Sequence, residues 1–405
     1  MNKKRGGFSM KPFLSVILLL AWTQGCGSDS GKESDSELGQ APFLESPVWL
    51  RSTGTDQGLG LAIRANESLI MVGRTQGPLG QDDGFILSAN SAGTTEWTTF
   101  IGSAGVDVLL DVGVHQSGVI FAGGVSTGDY DGQVNTLFSD GALSALSPGG
   151  DVLWSRLLGL GAINQVQVVS DGVVVSGSGI QAGRNDADAF VAKYDLAGTR
   201  IWLRWLRSAA TDSATGLVEV GDEIWVTGFT DGALFSESSL GALNGFIAVL
   251  SSDGSLVRGT QVQEEHEQSY TRICKGSRGE VVVGGYSIDA DGEIDSIVRA
   301  YDASHSALDG WRSDWGGADA VYGLLCKEDG EVVLSGRIDQ VDTGDGFWVV
   351  LDEGLEVVEQ RQSGFAGRDE WVDVTASQRG FCFTGYRSFD ANPTIEDLDA
   401  VAECY

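Results

Sequence analysis

The sequence predicts an all-β chain: a seven-bladed β-propeller of four-stranded blades, closed by pairing of its N- and C-terminal strands. Three observations predict it. A unit of about fifty residues recurs along the 405-residue chain, each copy offers four short runs of alternating polarity between glycine-bearing turns, and the two chain ends carry complementary fractions of one copy.

The clearest unit runs from Asp188 to Gly228. Asp188 to Asp195 alternates Phe190, Ala192 and Tyr194 against Val191 and Lys193, and a turn at Gly198 leads into Ile201-Trp202-Leu203, which reads as a hairpin. Gly216 to Val220 and Glu223 to Thr227 supply two more strands. Alignment on the glycine that ends each VTG-type strand gives Gly73, Gly123, Gly177, Gly228, Gly285, Gly336 and Gly385, at steps of 49 to 57 residues. Alignment on the polar residue that leads the next strand gives Asp83, Asp140, Asp188, Asn244, Asp295, Asp345 and Asp399, again seven copies.

No copy holds enough apolar surface to fold alone. Radial packing of four-stranded sheets buries each blade against its neighbours and keeps strand edges short. In this reading strand A, nearest the axis, is the run such as Gly216 to Val220; B is the VTG strand; C starts with the acid; D carries the Trp. With 58 Gly, only 6 Pro and no long run at helical spacing beyond the N-terminus, the composition fits one domain with many tight turns, here residues 47–405. The chain ends in a C strand, Asp399 to Tyr405, and opens with a D-like run, Val48 to Arg51. Pairing them completes a last blade with A at Glu370 to Ala376 and B at Phe381 to Tyr386.

The run DAFVAKYDLAGTRIWLRWL, followed by VTGFT, resembles the bacterial β-propeller repeat of exported proteins, whose pattern is DAFVAKLDxxGxxxWxxxxGG…D…GxVYVTGxT. The resemblance spans Val48 to Tyr405. The units at Asn244 and Asp345 lack the Trp of strand D, and the unit at Asp140 has lost its Phe. It implies a propeller and no particular activity. A fainter similarity, through WxxxxG at strand D, is to the propeller lipoprotein that scaffolds outer-membrane β-barrel assembly.

Lys3, Lys4, Arg5 and Lys11 precede an apolar run from Phe13 to Trp22, the build of a secretory signal over residues 1–25. Thr23-Gln24-Gly25-Cys26 resembles the lipobox of bacterial lipoproteins, which implies that Cys26 carries lipid and anchors the chain to a membrane, with Gly27 favouring the outer membrane. Residues 26–46, polar at Ser28 to Gln40, read as a disordered tether. Loss of the leader's four cations takes the formal charge from −31 to −35. Such a charge repels nucleic acid and attracts cations and basic surfaces, or serves only to keep an exported monomer soluble.

Setting Cys26 aside leaves four cysteines, an even number in an exported chain. If Gly385 faces Val401, antiparallel pairing sets Cys382 opposite Cys404, within bridging reach. Cys274 and Cys326 hold matching places late in strand A of successive blades, so a bridge between blades is expected; the alternative is four thiols packed as small apolar residues.

Loops between B and C are acidic. Ser287, Asp289, Asp291, Glu293 and Asp295 follow the spacing DxDxDGxxD, with Ser first, which resembles the calcium loops of integrin-type propellers; Thr127, Asp129, Asp131 and Asn135 repeat that spacing with weaker oxygens. The alternative is an Asp-Gly turn whose carboxylates cap backbone N–H groups. Trp97, Trp154, Trp202 and Trp311 recur at one position, which points to blade packing. His115, His266 and His305 lack zinc spacing, paired acids such as Asp342 and Asp345 carry little weight among so many, and no nucleophile elbow, P-loop or dinucleotide fingerprint occurs. The expected function is a non-catalytic platform for a protein or glycan partner, with no certain cofactor. The alternatives are an envelope-assembly scaffold, marked by an exposed apolar patch, and a glycan-processing enzyme, marked by acids, Arg or Tyr converging at one end of the channel.

Overall fold

The computed structural model describes residues 47–405, apart from 53, 78, 182, 236–242, 263–265, 314, 341–342, 364–367 and 389–397. The expected leader, Cys26, the tether and Asp342 lie outside the described residues.

Among the described residues twenty-eight strands form seven antiparallel sheets of four. Blade 1 holds β2 (Gln57–Ile63), β3 (Leu69–Thr75), β4 (Asp83–Ala89) and β5 (Thr95–Ile101); blade 2 holds β6 (Asp107–Val114), β7 (Ile120–Ser126), β8 (Asp140–Leu146) and β9 (Val152–Leu157). Blade 3 comprises β10 (Ala162–Val169), β11 (Gly172–Gly179), β12 (Asp188–Asp195) and β13 (Arg200–Leu206); blade 4 comprises β14 (Asp212–Val220), β15 (Glu223–Thr230), β16 (Asn244–Ser251) and β17 (Leu256–Gln261). In blade 5 are β18 (Glu267–Lys275), β19 (Val281–Ile288), β20 (Ile294–Tyr301) and β21 (Ala307–Arg312), and in blade 6 β22 (Ala318–Cys326), β23 (Val332–Gln340), β24 (Thr343–Leu351) and β25 (Val357–Gln362). The seventh orders β26 (Asp369–Ser377), β27 (Gly380–Ser388), β28 (Leu398–Cys404) and β1 (Val48–Leu50).

Ring closure is therefore as expected: Trp49 faces Val401, and Val48 and Leu50 face Ala402 and Ala400. The innermost strands touch in a complete circle, β2 to β6, β10, β14, β18, β22, β26 and back to β2. Strand A is longer than its sequence pattern suggested. In blade 4 it begins at Asp212 rather than Gly216, because the ladder continues past a bulge that interrupts the alternation.

Blade faces are apolar on both sides of B and C, so the core is a set of clusters lying between sheets. One joins Val174, Val191 and Leu206 of blade 3 to Leu217, Val226 and Phe246 of blade 4. Trp97, Trp154 and Trp202 share one register position and pack between blades as staples, whereas Trp311, expected at the same place, lies two residues further along its strand, opposite Val298. Trp154 donates its indole N–H to Leu196 O at 2.9 Å and Trp202 to Ser252 O at 3.0 Å, each on the C–D turn of the next blade. The turn glycine is needed twice over: Gly254 has φ +80°, and a Cβ there would lie 2.6 Å from the Trp202 ring. Between blades 4 and 5 the staple is rebuilt from different residues. Arg258 holds the Trp place, His305 takes the turn position at φ 64°, and Arg258 Nε donates to His305 Nε2 at 3.2 Å while gripping Glu223 with both terminal nitrogens at 3.0 Å.

Both expected cysteine pairs lie at bonding distance, Cys274 with Cys326 between blades 5 and 6 and Cys382 with Cys404 inside blade 7. Phe381 and Tyr405 exchange backbone hydrogen bonds, so the adjacent Cys382–Cys404 pair is the narrow, non-hydrogen-bonded kind, with Cα atoms 3.9 Å apart. Peptide mapping without reductant is expected to recover 274–326 and 382–404 as linked pairs. Replacing Cys382 and Cys404 together with Ser is expected to cost about 2–4 kcal/mol in urea unfolding; unchanged stability would argue that the seam holds without its cystine.

Candidate functional site

Every innermost strand carries a one-residue bulge at the same height: Leu59, Leu110, Asn164, Thr215, Thr271, Tyr322 and Val372. The bulge turns the following residue toward the next blade, giving a ring of Gly60, Asp111, Gln165, Gly216, Arg272, Gly323 and Asp373 at the waist of the channel. Where this residue has a polar side chain it reaches across the junction. Asp111 Oδ2 accepts Val166 N–H at 2.6 Å, Gln165 Oε1 accepts Leu217 N–H at 2.7 Å, and Asp373 Oδ2 accepts Leu61 N–H at 2.9 Å. Bulge residues make the reciprocal links: Asn164 Nδ2 donates to Ala214 O, Thr215 Oγ1 to Tyr270 O and Thr271 Oγ1 to Val321 O. Where the ring residue is Gly60 the strands close directly, since a Cβ there would sit 2.8 Å from Asp111 Cα.

Electrostatics at the waist are unfavourable for its acids. Burial, and next the Asp373 charge, push the Asp111 carboxyl up to about 7 against the pull of Arg272. Asp373 is also raised by burial, again opposed by Arg272. The upper rim repeats the pattern, for in five blades strand A opens at a buried acid, Asp56, Asp107, Asp212, Asp319 or Asp369. Asp56, Asp107 and Asp212 each accept hydrogen bonds from the N–H and Oγ of the serine four residues earlier, Ser52, Ser103 and Ser208. Three of these leading acids meet the first acid of strand C in the preceding blade: Asp107 beside Asp83, Asp212 beside Asp188, and Asp319 beside Asp295. Burial first, with these neighbours adding, raises all three leading acids, Asp212 to about 6.

A second cluster lies between blades 6 and 7 near the upper rim. Glu370 receives the Tyr386 hydroxyl, with Arg337 Nη1 at 3.7 Å and Arg368 Nη2 at 3.9 Å, and Arg337 also grips Asp339. Glu370 and Tyr386 are only 2% and 1% exposed, so their reacting atoms are closed to any substrate. The arrangement is a charged latch between blades. Sequence reasoning missed both this cluster and the waist ring. The ring had a signal, an acid four residues before it, as in Asp56/Gly60, Asp107/Asp111, Asp212/Gly216, Asp319/Gly323 and Asp369/Asp373.

The residues expected to bind calcium are not gathered into one donor set. Asp289 Oδ1 accepts the N–H groups of Asp291 and Glu293, both at 2.9 Å, and these backbone bonds hold its carboxyl below the usual range. Ser287 is buried on β19 opposite Asp295, which pairs with Arg312 at 2.8 Å, while Asp291 and Glu293 face solvent. In the other loop Thr127 Oγ1 accepts Val106 N–H, Asp129 Oδ1 accepts Asn135 N–H, Asn135 Nδ2 donates to Ser126 O, and Asp131 forms a turn at φ 46°. Among the described residues no three of His, Cys, Asp and Glu form a group able to hold a metal. In this arrangement Asp289, Thr127 and Asp129 serve neighbouring backbone N–H groups, as the Asp-Gly turn alternative expects.

The upper rim also carries an open apolar feature. The B–C loop of blade 2, residues 127–139, exposes Val134 by 73% and Phe138 by 92%, with Leu137 beside them at 41%.

For each carboxyl raised in the folded state, the native form keeps its proton while the unfolded form has lost it, so stability is greatest at acidic pH and is lost as pH rises from about 4 through 6 to 7. The melting temperature is expected to climb between pH 7.5 and pH 5.5. Asp111→Asn keeps an oxygen for Val166 N–H and removes the charge, so its climb should be smaller by about 2 °C; a variant parallel to the parent would remove Asp111 from the account.

No protein-family model and no curated protein sequence matches the chain. Among solved structures it is similar to Sqt1 of Chaetomium thermophilum, at TM-score 0.51 and 12% identity over 85% of this chain and 83% of that one. The same protein bound to the N-terminus of the ribosomal protein L10 matches at TM-score 0.50 and 11% identity, covering 84% of each chain. The WD40 domain of Neurospora crassa Pan2 matches at TM-score 0.45 and 12% identity, over 72% of this chain and 88% of that one. At these identities the likeness is one of fold, and the fold that the chain shares with Sqt1 is the β-propeller.

Proposed function

We infer that the chain is a non-catalytic binding platform, held to a membrane by lipid on Cys26 with residues 26–46 as tether, that offers its upper rim to a protein partner in the cell envelope. The observation that carries this reading is the contrast on that rim. Its converging Glu, Tyr and Arg groups are shut between blades, whereas the apolar residues of the blade 2 loop stand in solvent. Catalysis needs a titrating group within reach of substrate, and association needs exposed apolar surface. Sqt1, a propeller of similar fold, has been solved bound to the N-terminus of another protein, which supports a protein rather than a glycan as the partner class. The strongly acidic composition disfavours nucleic acid.

Capture from an envelope extract on the intact, lipid-bearing chain is expected to retain a protein near one-to-one. Retention of none, or release of sugar from an envelope glycan by the purified chain, removes the platform reading. Radiolabelled palmitate is expected to enter the chain and to be lost in Cys26→Ser; label persisting in that variant removes the anchor.

A further inference from the structure

We propose that the 127–139 loop of blade 2 is a preorganised docking knob, and that its occupant is a basic protein whose apolar pocket receives Phe138 while Lys or Arg side chains meet Asp129 and Asp131. The proposal rests on the platform reading above and adds the place and the chemistry of the partner.

The loop is built to hold its shape. Tyr130 is buried to 1% exposure in the cluster that contains Ala142 and Leu109, and its hydroxyl lies 3.0 Å from Ser144 Oγ. The C strand of blade 2 carries Ala142 where four others carry Phe85, Phe190, Phe246 and Phe347 and the remaining two carry Ile297 and Val401, so a loop aromatic enters the core of the blade with the smallest residue there. From that anchor the chain turns through Asp131 and Gly132, both at positive φ. Gln133 closes on the neighbouring strand: its Nε2 donates to Ser155 O at 2.6 Å and its Oε1 accepts Leu157 N–H at 3.3 Å. Asn135 fixes the return, accepting Leu137 N–H at 2.8 Å. Each anchored side chain leaves its neighbour outward, and the outward set is Val134, Leu137 and Phe138.

A fixed loop has already met its ordering cost, so burying its apolar tip on a partner adds to affinity with little offset. Exposed Asp129 and Asp131 flank the tip. With a net charge of −31, two copies of the chain repel, as do the chain and an anionic bilayer. The complement is a surface with positive charge around an apolar pocket.

The test is selection on the immobilised full chain from a displayed library of three-helix domains randomised on one face, followed by affinity measurement. Selected domains are expected to be rich in Lys and Arg around an apolar pocket. They should bind Phe138→Ala at least about tenfold more weakly, lose affinity to Asp129→Asn with Asp131→Asn, and weaken as salt is raised. Phe138 touches solvent almost all round, so its truncation leaves the fold intact, to be checked by an unchanged melting curve. Binders indifferent to Phe138→Ala, or lacking positive charge, overturn the proposal and leave the platform reading standing; a library that yields no binder counts against both. Phe138-dependent dimerisation in sedimentation would make the occupant a second copy, and Phe138-dependent partition onto phosphatidylcholine vesicles would make it lipid. Either result overturns the proposal.

Discussion

Three residues close this molecule. A blade buries its faces only against its neighbours, so an open ring would leave two apolar sheets in water, and the pairing of Val48, Trp49 and Leu50 with Ala402, Val401 and Ala400 removes both at once. The seam does not rest on backbone bonds alone. Arg387 stacks over Trp49 and Trp371 at 5.7 and 5.4 Å and reaches Glu403 at 3.1 Å, and Cys382 meets Cys404 one pair before the C-terminal residue. Aromatic rings gather at the same place: Trp348, Phe381, Phe383 and Tyr405 all lie within 6.5 Å of one another, centroid to centroid. A short strand with few ladder bonds is thus backed by a cluster of four aromatic rings and by a crosslink.

Closure also explains the waist. Seven inner strands converging on one axis leave little room, and it is filled in two ways around the ring. Gly60, Gly216 and Gly323 let backbones approach, while Asp111, Gln165 and Asp373 reach across the junction to accept an N–H of the next blade. The carboxylates satisfy the backbone at an electrostatic cost, which Arg272 offsets from across the channel. Gln165 does the same work without charge, so the acids are not required by geometry. Their presence removes an electrostatic cost from the folded ring as protons become available.

The blade count, the seam register and both cysteine pairs were legible because each depends on repeat spacing or strand parity, and a period of two fixes which residues face each other. Gly385 opposite Val401 carried Cys382 to Cys404 without any knowledge of side-chain packing. The waist ring was hidden because a bulge breaks that parity: Thr215 and Gly216 occupy the room of one residue opposite Thr227, so alternation read from sequence loses phase there and Asp212 drops out of the strand. The acidic B–C loops are ambiguous from sequence on a different ground. DxDxDG spacing describes a tight turn as well as a ligand loop, and only the direction of Asp289, onto the N–H groups of Asp291 and Glu293, separates the two. The latch at Glu370 had no local signature, since Arg337, Arg368 and Tyr386 come from three elements.

In a repeat protein the shared residues specify the scaffold, so what distinguishes one blade from the rest is where a specific role has room to arise. Two departures here have compensating partners. Arg258 and His305 replace a Trp and a turn residue together and restore a junction, which is repair of the scaffold. Ala142 replaces a Phe, and the filling ring, Tyr130, comes from a loop. That second exchange does more than repair, because a loop whose aromatic anchor is sunk in the core can hold its remaining apolar residues away from it. Exposed Phe138 follows from buried Tyr130: without the anchor, the loop would be free to fold its own apolar tip inward and the knob would not persist.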